Sequence, residues 1–452
     1  MISLVLKKKV SKMRFKYVNL NPSQLLVLVF VFFIILGTLL LKLPFATVDS
    51  ISLVDALFTA TSAMTVTGLA VVDTGTAYTI FGQLVILMLI QVGGLGIMSF
   101  AVLIFIVLGK KIGFKERIIV QQALNQTSIG GVINLVKNLF IYSFTIEIIA
   151  MILLAIRWVP EYGWGRGMYV SFFHSISAFN NAGFSIWADS LMRYVGDPVV
   201  NLVITILFII GGIGFTVLSD IWHKPNFRRL SLHSKLMIVG TIVLNLFAMM
   251  VIFFLEYNNP NTFGTLASLG DKMWAAYFQA VTPRTAGFNS LDIASLHEGT
   301  ITLMLLLMFI GAGSASTGGG IKLTTFLVIV FSVITFLREK RNITIGKRSI
   351  KDKAVFRSLA ILTISILFIF LAVFLLNITE PDPFLLILFE VISAFGTVGL
   401  SMGLTADLSI IGKLIIVLVM FFGKLGPLTF AFSLAKPEAE KIRYPTEDIL
   451  TG

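Results

Sequence analysis

Long apolar stretches alternate with short polar connections along the chain. Eight stretches of roughly twenty residues, the length an α-helix needs to cross a bilayer, carry few or no charges. They cover residues 24–41, 80–109, 132–156, 198–219, 236–255, 301–337, 358–379 and 414–435. The pattern predicts an all-α membrane protein with eight transmembrane helices. The charged residues inside the stretches are Lys137, Glu147, Lys322 and Lys424.

Composition also favours lipid as the solvent. Of the 452 residues, 57% are hydrophobic and only 13% are charged, unlike a soluble globular domain. The chain has no cysteine, which excludes disulfides and thiolate metal sites, and its four histidines are scattered. No cluster of catalytic groups falls at one depth, so we do not expect an enzyme.

The net charge of +12 is concentrated in alternate connections. Basic residues gather before the first apolar stretch and after the second, fourth, sixth and eighth. The positive-inside rule then predicts a multi-pass protein of the cell membrane with both termini in the cytoplasm. Such patches favour anionic lipid headgroups over nucleic acid as partners.

A shorter apolar segment, which cannot cross a membrane, occurs four times between an odd-numbered stretch and the next even one. Each copy leads without gaps through a similar run to a glycine, at Gly68, Gly183, Gly287 and Gly399. This self-similarity indicates four tandem repeats of first helix, pore half-helix and second helix (M1–pore helix–M2) around one pseudo-fourfold central pore. The predicted units are 23–118, 127–229, 232–340 and 354–435, between a basic cytoplasmic N-terminus (1–22) and a cytoplasmic C-terminal tail (436–452).

A second glycine site recurs inside each second helix. Its copies begin at Gly93, Gly211, Gly311 and Gly423. Glycine in membrane helices often only allows close packing, and we favour that interpretation in units one, two and four.

The repeated glycine loop predicts a cation pore. A half-helix that ends at midplane points the negative end of its dipole into the protein centre. The following loop must turn carbonyl oxygens toward the axis, which needs backbone angles that glycine adopts most easily. Irregular backbone at membrane depth is tolerated where it lines a cavity or is buried in protein. The predicted filter residues are Thr65, Val66, Thr67, Gly68, Asn180, Asn181, Ala182, Gly183, Thr285, Ala286, Gly287, Gly396, Thr397, Val398 and Gly399.

These motifs resemble the Trk/Ktr/HKT superfamily of potassium transporters, most closely the membrane subunit of the bacterial Ktr system (KtrB and KtrD type). The most specific runs are 65–75, 177–184, 281–289 and 393–400. The resemblance implies potassium uptake, often stimulated by sodium, through a pseudo-fourfold pore with potassium at the filter carbonyls. Sodium-preferring relatives tend to have serine at the first filter glycine, whereas this chain has Gly68.

The sixth apolar stretch is too long for one crossing. Its middle is the glycine-rich run 311–320, followed by Lys322, which taken alone looks like a phosphate-binding loop. Such a loop needs a preceding strand and a Gly-Lys-Ser/Thr ending, and the sequence has neither. The resemblance implies an intramembrane gate below the filter, against the alternative of a kinked helix. The gate residues are Gly311, Ala312, Gly313, Ser314, Ala315, Ser316, Thr317, Gly318, Gly319 and Gly320, together with Lys424.

Lys424 lies among apolar residues, where an unpaired charge costs at least about 2.5 kcal/mol. The resemblance implies arginine at this position. We predict that the lysine forms an electrostatic barrier with the gate; the alternative is a structural partner of Glu147 or of backbone carbonyls.

Other charged residues have candidate roles near the predicted filter. Arg284 precedes Gly287 and would oppose cations if it faced the pore, so we predict a structural ion pair with Glu390 behind the filter. Carboxylates also follow each filter glycine and could concentrate cations at the mouth; simple loop solvation is an equal alternative. These carboxylates are Asp73, Asp189, Asp292 and Asp407.

The connections are too short for a nucleotide-binding domain. The resemblance implies a homodimer on a cytosolic RCK-type nucleotide-binding ring (KtrA and KtrC type), with sodium as an activator and no covalently bound cofactor. The basic loop 338–357 and the tail 437–452 are candidate contacts, and lipid binding is an equal alternative for the loop. A sodium conductor of the same fold and an alternating-access secondary transporter are the competing interpretations, although the latter usually has inverted repeats.

Overall fold

The computed structural model describes residues 22–96, 99–100, 102–103, 121, 131–340, 342–345, 348–434, 445 and 447. The predicted N-terminal segment 1–22 lies outside this range except for Pro22. The predicted tail 436–452 lies outside it except for residues 445 and 447. Most of the basic connection after the second apolar stretch also falls outside the described residues.

Helices account for most of the described structure. In chain order they are α1 (Pro22–Leu41), α2 (Leu53–Met64), α3 (Ile80–Leu95), α4 (Val132–Tyr162), α5 (Trp164–Phe179), α6 (Pro198–Ile213), α7 (Phe215–His223), α8 (Leu232–Glu256), α9 (Leu269–Val281), α10 (Glu298–Phe309), α11 (Leu323–Leu337), α12 (Asp352–Thr379), α13 (Phe384–Gly396), α14 (Ile410–Leu425) and α15 (Pro427–Leu434). Single helical turns occupy Thr74–Ala77, Met192–Tyr194, Phe227–Arg229, Phe263–Thr265, Ile293–Ser295 and Leu404–Asp407. Strands β1 (Thr344–Ile345) and β2 (Arg348–Ser349) form an antiparallel hairpin, with Thr344 opposite Ser349.

Four helices of the described chain are long and apolar enough to cross a membrane: Ser23–Leu41, Ile133–Tyr162, Leu232–Glu256 and Asp352–Thr379. Each is the first helix of a predicted unit. Their outer faces carry large apolar side chains, such as Phe254, which is 72% exposed, and Phe370, which is 70% exposed. In water such faces would drive association, so they indicate contact with lipid.

A shorter helix follows each long one and packs against it: α2, α5, α9 and α13. The serine hydroxyls of Ser52 and Ser268 cap the first turns of α2 and α9, where the following sequence offers Asp55 and Asp271. Such caps satisfy the free N–H groups that begin a helix. All four short helices end within a few residues of a predicted filter glycine.

The second helices are broken at glycines. The first glycine of the site packs closely, because a methyl group at Gly93, Gly211 or Gly423 would overlap a carbonyl oxygen at the end of its unit's short helix. A later glycine then ends the helix in a left-handed conformation, at Gly96, Gly214 or Gly426. At Gly214 the chain bends by 94°. The prediction that these glycines allow close packing in units one, two and four is therefore confirmed. The apolar stretches 80–109, 198–219 and 414–435 were each predicted as one helix, and the breaks at Gly96, Gly214 and Gly426 correct that prediction.

Each second helix also packs against the short helix of the next unit: α3 on α5, α6 on α9, α10 on α13, and α14 back on α2. Side-chain contacts mark three of these junctions. Tyr169 Oη donates to Gln83 Oε1 at 2.7 Å, and Tyr277 Oη donates to Thr205 Oγ1 at 3.0 Å. Lys413 Nζ lies 2.8 Å from Asp55 Oδ1, which joins the fourth unit to the first. These contacts therefore connect the four predicted units in a cycle.

Two glutamates join a first helix to the second helix of the same unit. Glu256 is fully buried at the end of α8 and accepts hydrogen bonds from His297 N–H at 2.9 Å and Thr300 Oγ1 at 2.5 Å, at the start of α10. Asn259 and Thr262 donate to its other oxygen at 2.6 and 2.8 Å. Glu380 likewise accepts from Ser409, the residue that caps α14.

Replacement of Glu256 by glutamine should destabilise the protein. The neutral amide offers one acceptor oxygen to four donors, and losing hydrogen bonds to a charged group typically costs about 2 kcal/mol. We expect a lower thermal unfolding midpoint in detergent. Glu298→Gln is the matched control because this side chain is exposed at the start of α10. Equal effects of the two substitutions would show that the Glu256 contacts add no stability.

Candidate ion-conduction site

The four predicted filter glycines meet in a closed ring. A methyl group built on Gly183 would lie 2.7 Å from Gly287 Cα, and one on Gly399 would lie 3.0 Å from Gly68 Cα. Each added methyl would also crowd the carbonyl oxygen just before a neighbouring glycine, and in chain order these carbonyls belong to Ala182, Ala286, Val398 and Thr67. No side chain fits at any of the four positions. The structure thus brings the predicted filter segments 65–68, 180–183, 285–287 and 396–399 together.

Each segment has two left-handed residues. The glycines have φ angles of 91°, 68°, 77° and 90° at Gly68, Gly183, Gly287 and Gly399. The residue two positions earlier is also left-handed, with φ of 51°, 57°, 71° and 49° at Val66, Asn181, Thr285 and Thr397. This conformation costs L-residues roughly 1–2 kcal/mol, and β-branched residues rarely adopt it. The sequence predicted the glycine requirement and missed the second position.

Hydroxyl groups on the short helices hold three of these segments. Ser62 Oγ accepts from Gly68 N–H at 3.1 Å, and Ser393 Oγ accepts from Gly399 N–H at 3.2 Å. Ser177 Oγ donates to Phe184 O at 2.7 Å. All three serines stand six residues before a predicted filter glycine, a regular spacing that is visible in the sequence and that the prediction missed. In the third unit Thr282, five residues before Gly287, donates to Phe288 O instead.

The predicted pair of Arg284 and Glu390 is not formed. Arg284 is nearly buried and lies 3.5 Å from Asn245 Oδ1 of α8, beside a small cavity. Glu390 is fully buried and accepts from Ser401 Oγ at 2.8 Å and Thr405 Oγ1 at 2.5 Å. Hydroxyl groups of two residues that follow Gly399 in the chain therefore bind Glu390, where the prediction had Arg284.

A second acid also lies behind the ring. Glu147 of α4 accepts from Gln91 Nε2 at 3.0 Å and from Asn180 Nδ2 at 3.3 Å. Asn180 belongs to a predicted filter segment, so Glu147 contacts that segment directly. Its partners are amides, and it does not hydrogen-bond to Lys424, which rules out one of the two alternatives for the lysine.

The 311–320 loop replaces the middle of the second helix of unit three. A parallel bridge between Ile310 and Ile321 closes its base. Lys424 Nζ donates to Thr317 O at 2.5 Å, and Lys322 Nζ donates to Gly318 O at 2.6 Å and Gly319 O at 3.3 Å. Two ammonium groups therefore contact consecutive loop carbonyls. Lys424 therefore binds a backbone carbonyl, which was one of the structural alternatives for this residue. The carbonyl belongs to the 311–320 loop, with which the lysine was predicted to form a barrier.

The loop also bonds to the glycine sites of other second helices. Gly313 N–H donates to Gly212 O at 2.8 Å, and Gly320 N–H donates to Gly423 O at 3.3 Å. Phe215 N–H donates to Ala315 O at 2.8 Å, just after the break at Gly214. The loop is thus inserted between the second helices of units two and four.

Three of the four aspartates that follow the predicted filter glycines have local partners. Asp73 accepts from Gly75 N–H at 2.9 Å, and Asp292 accepts from Ser295 Oγ at 2.6 Å. Asp189 lies 2.7 Å from Arg193 and raises the pKa of this guanidinium above its ordinary value through hydrogen bonding. Asp407 is exposed. The first three carboxylates therefore organise their own loops.

Comparison with known proteins identifies the family. Residues 21–443 match the family model TrkH, described as a cation transport protein. The chain therefore belongs to the TrkH family of cation transport proteins, and it is a multi-pass membrane protein.

Two relatives and one solved structure define the likeness further. The chain is 61% identical over 437 residues to the Ktr system potassium uptake protein B of Bacillus subtilis (strain 168), covering 97% of this chain and 98% of that protein. It is 44% identical to the Ktr system potassium uptake protein B of Vibrio alginolyticus, covering 96% of this chain and 95% of the relative. The crystal structure of the potassium transporter TrkH from Vibrio parahaemolyticus has the same fold, with a TM-score of 0.74 and 22% identity over 93% of this chain and 86% of that one. The predicted likeness to a Ktr membrane subunit is confirmed, as is the prediction that the chain is not an enzyme.

Replacement of Ser393 by alanine should weaken the ring. The half-buried Gly399 N–H would lose its acceptor. Leaving a fully buried donor unsatisfied typically costs about 1–3 kcal/mol, which is the upper range for this site. We expect a lower thermal midpoint in detergent and lower cation uptake. Ser332→Ala is the matched control, because among the described residues that hydroxyl bonds to Val328 O alone, within its own helix α11. Wild-type uptake and stability in Ser393→Ala would contradict a supporting role for the serine.

Proposed function

We propose that this chain takes up potassium across the cell membrane through a channel-like pore whose selectivity filter is the closed glycine ring. The contact among Gly68, Gly183, Gly287 and Gly399 carries this proposal. Around a common centre, carbonyl oxygens of four segments can together replace the water shell of a dehydrated cation. The alternating left-handed residues support this, since they turn successive peptide groups in a way that a regular strand or helix cannot.

The surrounding helices favour a cation at that centre. Each of α2, α5, α9 and α13 ends at or a few residues before a filter segment, so its negative dipole end lies near the ring. We propose the arrangement of four M1–pore helix–M2 repeats with eight membrane crossings around the ring. The cyclic packing of second helices on the next short helix supports this arrangement. The positions of the basic residues support cytoplasmic termini.

We further propose that the 311–320 loop is the gate and that Lys424 contributes an electrostatic barrier. Two ammonium groups, those of Lys424 and Lys322, are bonded to its carbonyls. A cation about 5 Å from one ammonium, at an effective dielectric constant of about 20, is destabilised by about 3 kcal/mol. Displacement of the loop or of the lysines would remove that barrier.

Regulation by other chains belongs to the same proposal. The names of the two relatives place them in a Ktr system. We propose a homodimer that assembles with a cytosolic nucleotide-binding ring, contacted through the basic loop around the β1–β2 hairpin. Sodium as an activator is part of this proposal.

Ion flux in proteoliposomes tests the function. Purified protein should take up rubidium as a potassium surrogate, and external potassium should compete better than sodium because the ring carries glycine at all four positions. Vesicles without protein are the control. Preferential competition by sodium would instead establish a sodium conductor, and flux that saturates at slow turnover would favour alternating access.

Replacement of Lys424 by methionine tests the barrier. Removing the charge should raise potassium flux by up to about a hundredfold, because each 1.4 kcal/mol removed from a barrier of about 3 kcal/mol corresponds to about a factor of ten. Lys424→Arg is the control, since it retains the charge and should keep flux near the wild-type value. Unchanged flux in Lys424→Met would rule out the barrier role.

A further inference from the structure

Three consecutive residues of the 311–320 loop meet three different filter segments. Thr317 Oγ1 donates to Asn181 Oδ1 at 2.7 Å, and Gly319 N–H donates to Thr397 Oγ1 at 2.8 Å. Between them, Gly318 lies so close to Thr285 that an added methyl group would be 2.8 Å from its Cβ. The three filter residues occupy the same position, two before the glycine, and all three are left-handed.

The first segment differs from the other three. Its residue at this position is Val66, whose side chain can neither donate nor accept a hydrogen bond. Across the described residues, the loop makes no side-chain hydrogen bond to the first segment. Asn181 also links two segments directly, because its Nδ2 donates to Thr285 Oγ1 at 3.2 Å. The loop and segments two, three and four thus form one buried hydrogen-bonded group.

These contacts act where the backbone is strained. A left-handed β-branched residue persists only when its surroundings hold it. Thr285 and Thr397 are such residues, and all three loop partners are fully buried, so water cannot replace the lost contacts. A loop that leaves this position removes support from the strained residues.

We propose that Asn181, Thr285 and Thr397 form a seat through which the 311–320 loop supports the filter, so that displacing the loop also lowers potassium selectivity. The inference rests on the proposed function and adds that gate and filter are energetically coupled. Asn181 and Thr397 are positioning residues in this scheme: their side chains bind the loop while their main chains belong to the filter.

Coupling of this kind is reciprocal. If the seated loop favours the potassium-binding shape of the ring, potassium in the ring must favour the seated loop. The ion present should therefore change how often the loop leaves its seat, which can be measured without any flux. The chain has no cysteine, so one introduced thiol can report on the loop.

The first experiment compares Thr317→Val with Thr317→Ser in proteoliposomes, measuring rubidium uptake and its competition by potassium and sodium. Valine removes the hydroxyl at nearly constant volume. We expect uptake to rise about fivefold, the equivalent of one ordinary hydrogen bond, and the preference for potassium over sodium to fall. Serine retains the donor and should behave like the wild type. Thr397→Val, which removes the acceptor of Gly319 N–H, should act in the same direction.

Thr324→Val is the matched control within the same region. Its hydroxyl pairs with Ser314 at 3.3 Å and, within the described part of the chain, hydrogen-bonds to no residue of the filter segments. This substitution should leave selectivity at the wild-type value even if uptake changes. A Thr317→Val protein with altered uptake and wild-type selectivity would overturn the proposal, since loop and filter would then be independent. Absence of potassium flux in the wild type would instead refute the proposed function.

The second experiment uses Ser316→Cys, because the Ser316 hydroxyl has no hydrogen-bond partner in the described structure. Its rate of reaction with a water-soluble thiol reagent is measured in potassium and in sodium. We expect slower reaction in potassium, and this difference should shrink when Thr317→Val is added. Equal rates in the two ions would overturn the coupling.

Discussion

Close contact among four glycine main chains is the constraint on which the rest of the structure depends. Because none of the four can carry a side chain, the surrounding helices must hold bare backbone in position. The short helices do so through serine hydroxyls, and each second helix in units one, two and four approaches its short helix through another glycine. The cycle of packing closes between α14 and α2, so that the short helix of every predicted unit packs against the second helix of the unit before it. Strain at four further left-handed residues is tolerated within this enclosure.

Features that impose a backbone requirement could be predicted from the sequence. The four glycines of the ring, the succession of helices and the loop at 311–320 each impose such a requirement, and each could be recognised in the sequence. The second left-handed position could not be predicted, because valine and threonine at Val66, Thr285 and Thr397 are residues that ordinarily avoid it. The breaks at Gly96, Gly214 and Gly426 could not be separated from packing, since glycine serves both purposes. Residue type alone cannot say which purpose applies.

The choice of partners for buried charges was the weakest part of the prediction, for a physical reason. We expected opposite charges to pair, as Arg284 with Glu390. In the structure, hydroxyls and amides bind Glu390, Glu147 and Glu256, and carbonyls bind Lys322 and Lys424. Several neutral dipoles can satisfy one buried ion as an opposite charge can, and a fold with much irregular backbone offers many of them. Sequence spacing does not reveal which dipoles will be near.

The loop is a larger form of a break that all four units share. In units one, two and four a single left-handed glycine ends the second helix. In unit three the loop 311–320 interrupts the second helix, and the residues on either side of the loop, Ile310 and Ile321, pair in a short parallel bridge. The position of the loop beside the ring therefore agrees with the predicted repeat. Its backbone needs partners there, and Lys424, two residues before the break at Gly426, supplies one to Thr317 O. Because that contact is to a single carbonyl, a compact ammonium suffices, and the planar fork of an arginine is not required at this position.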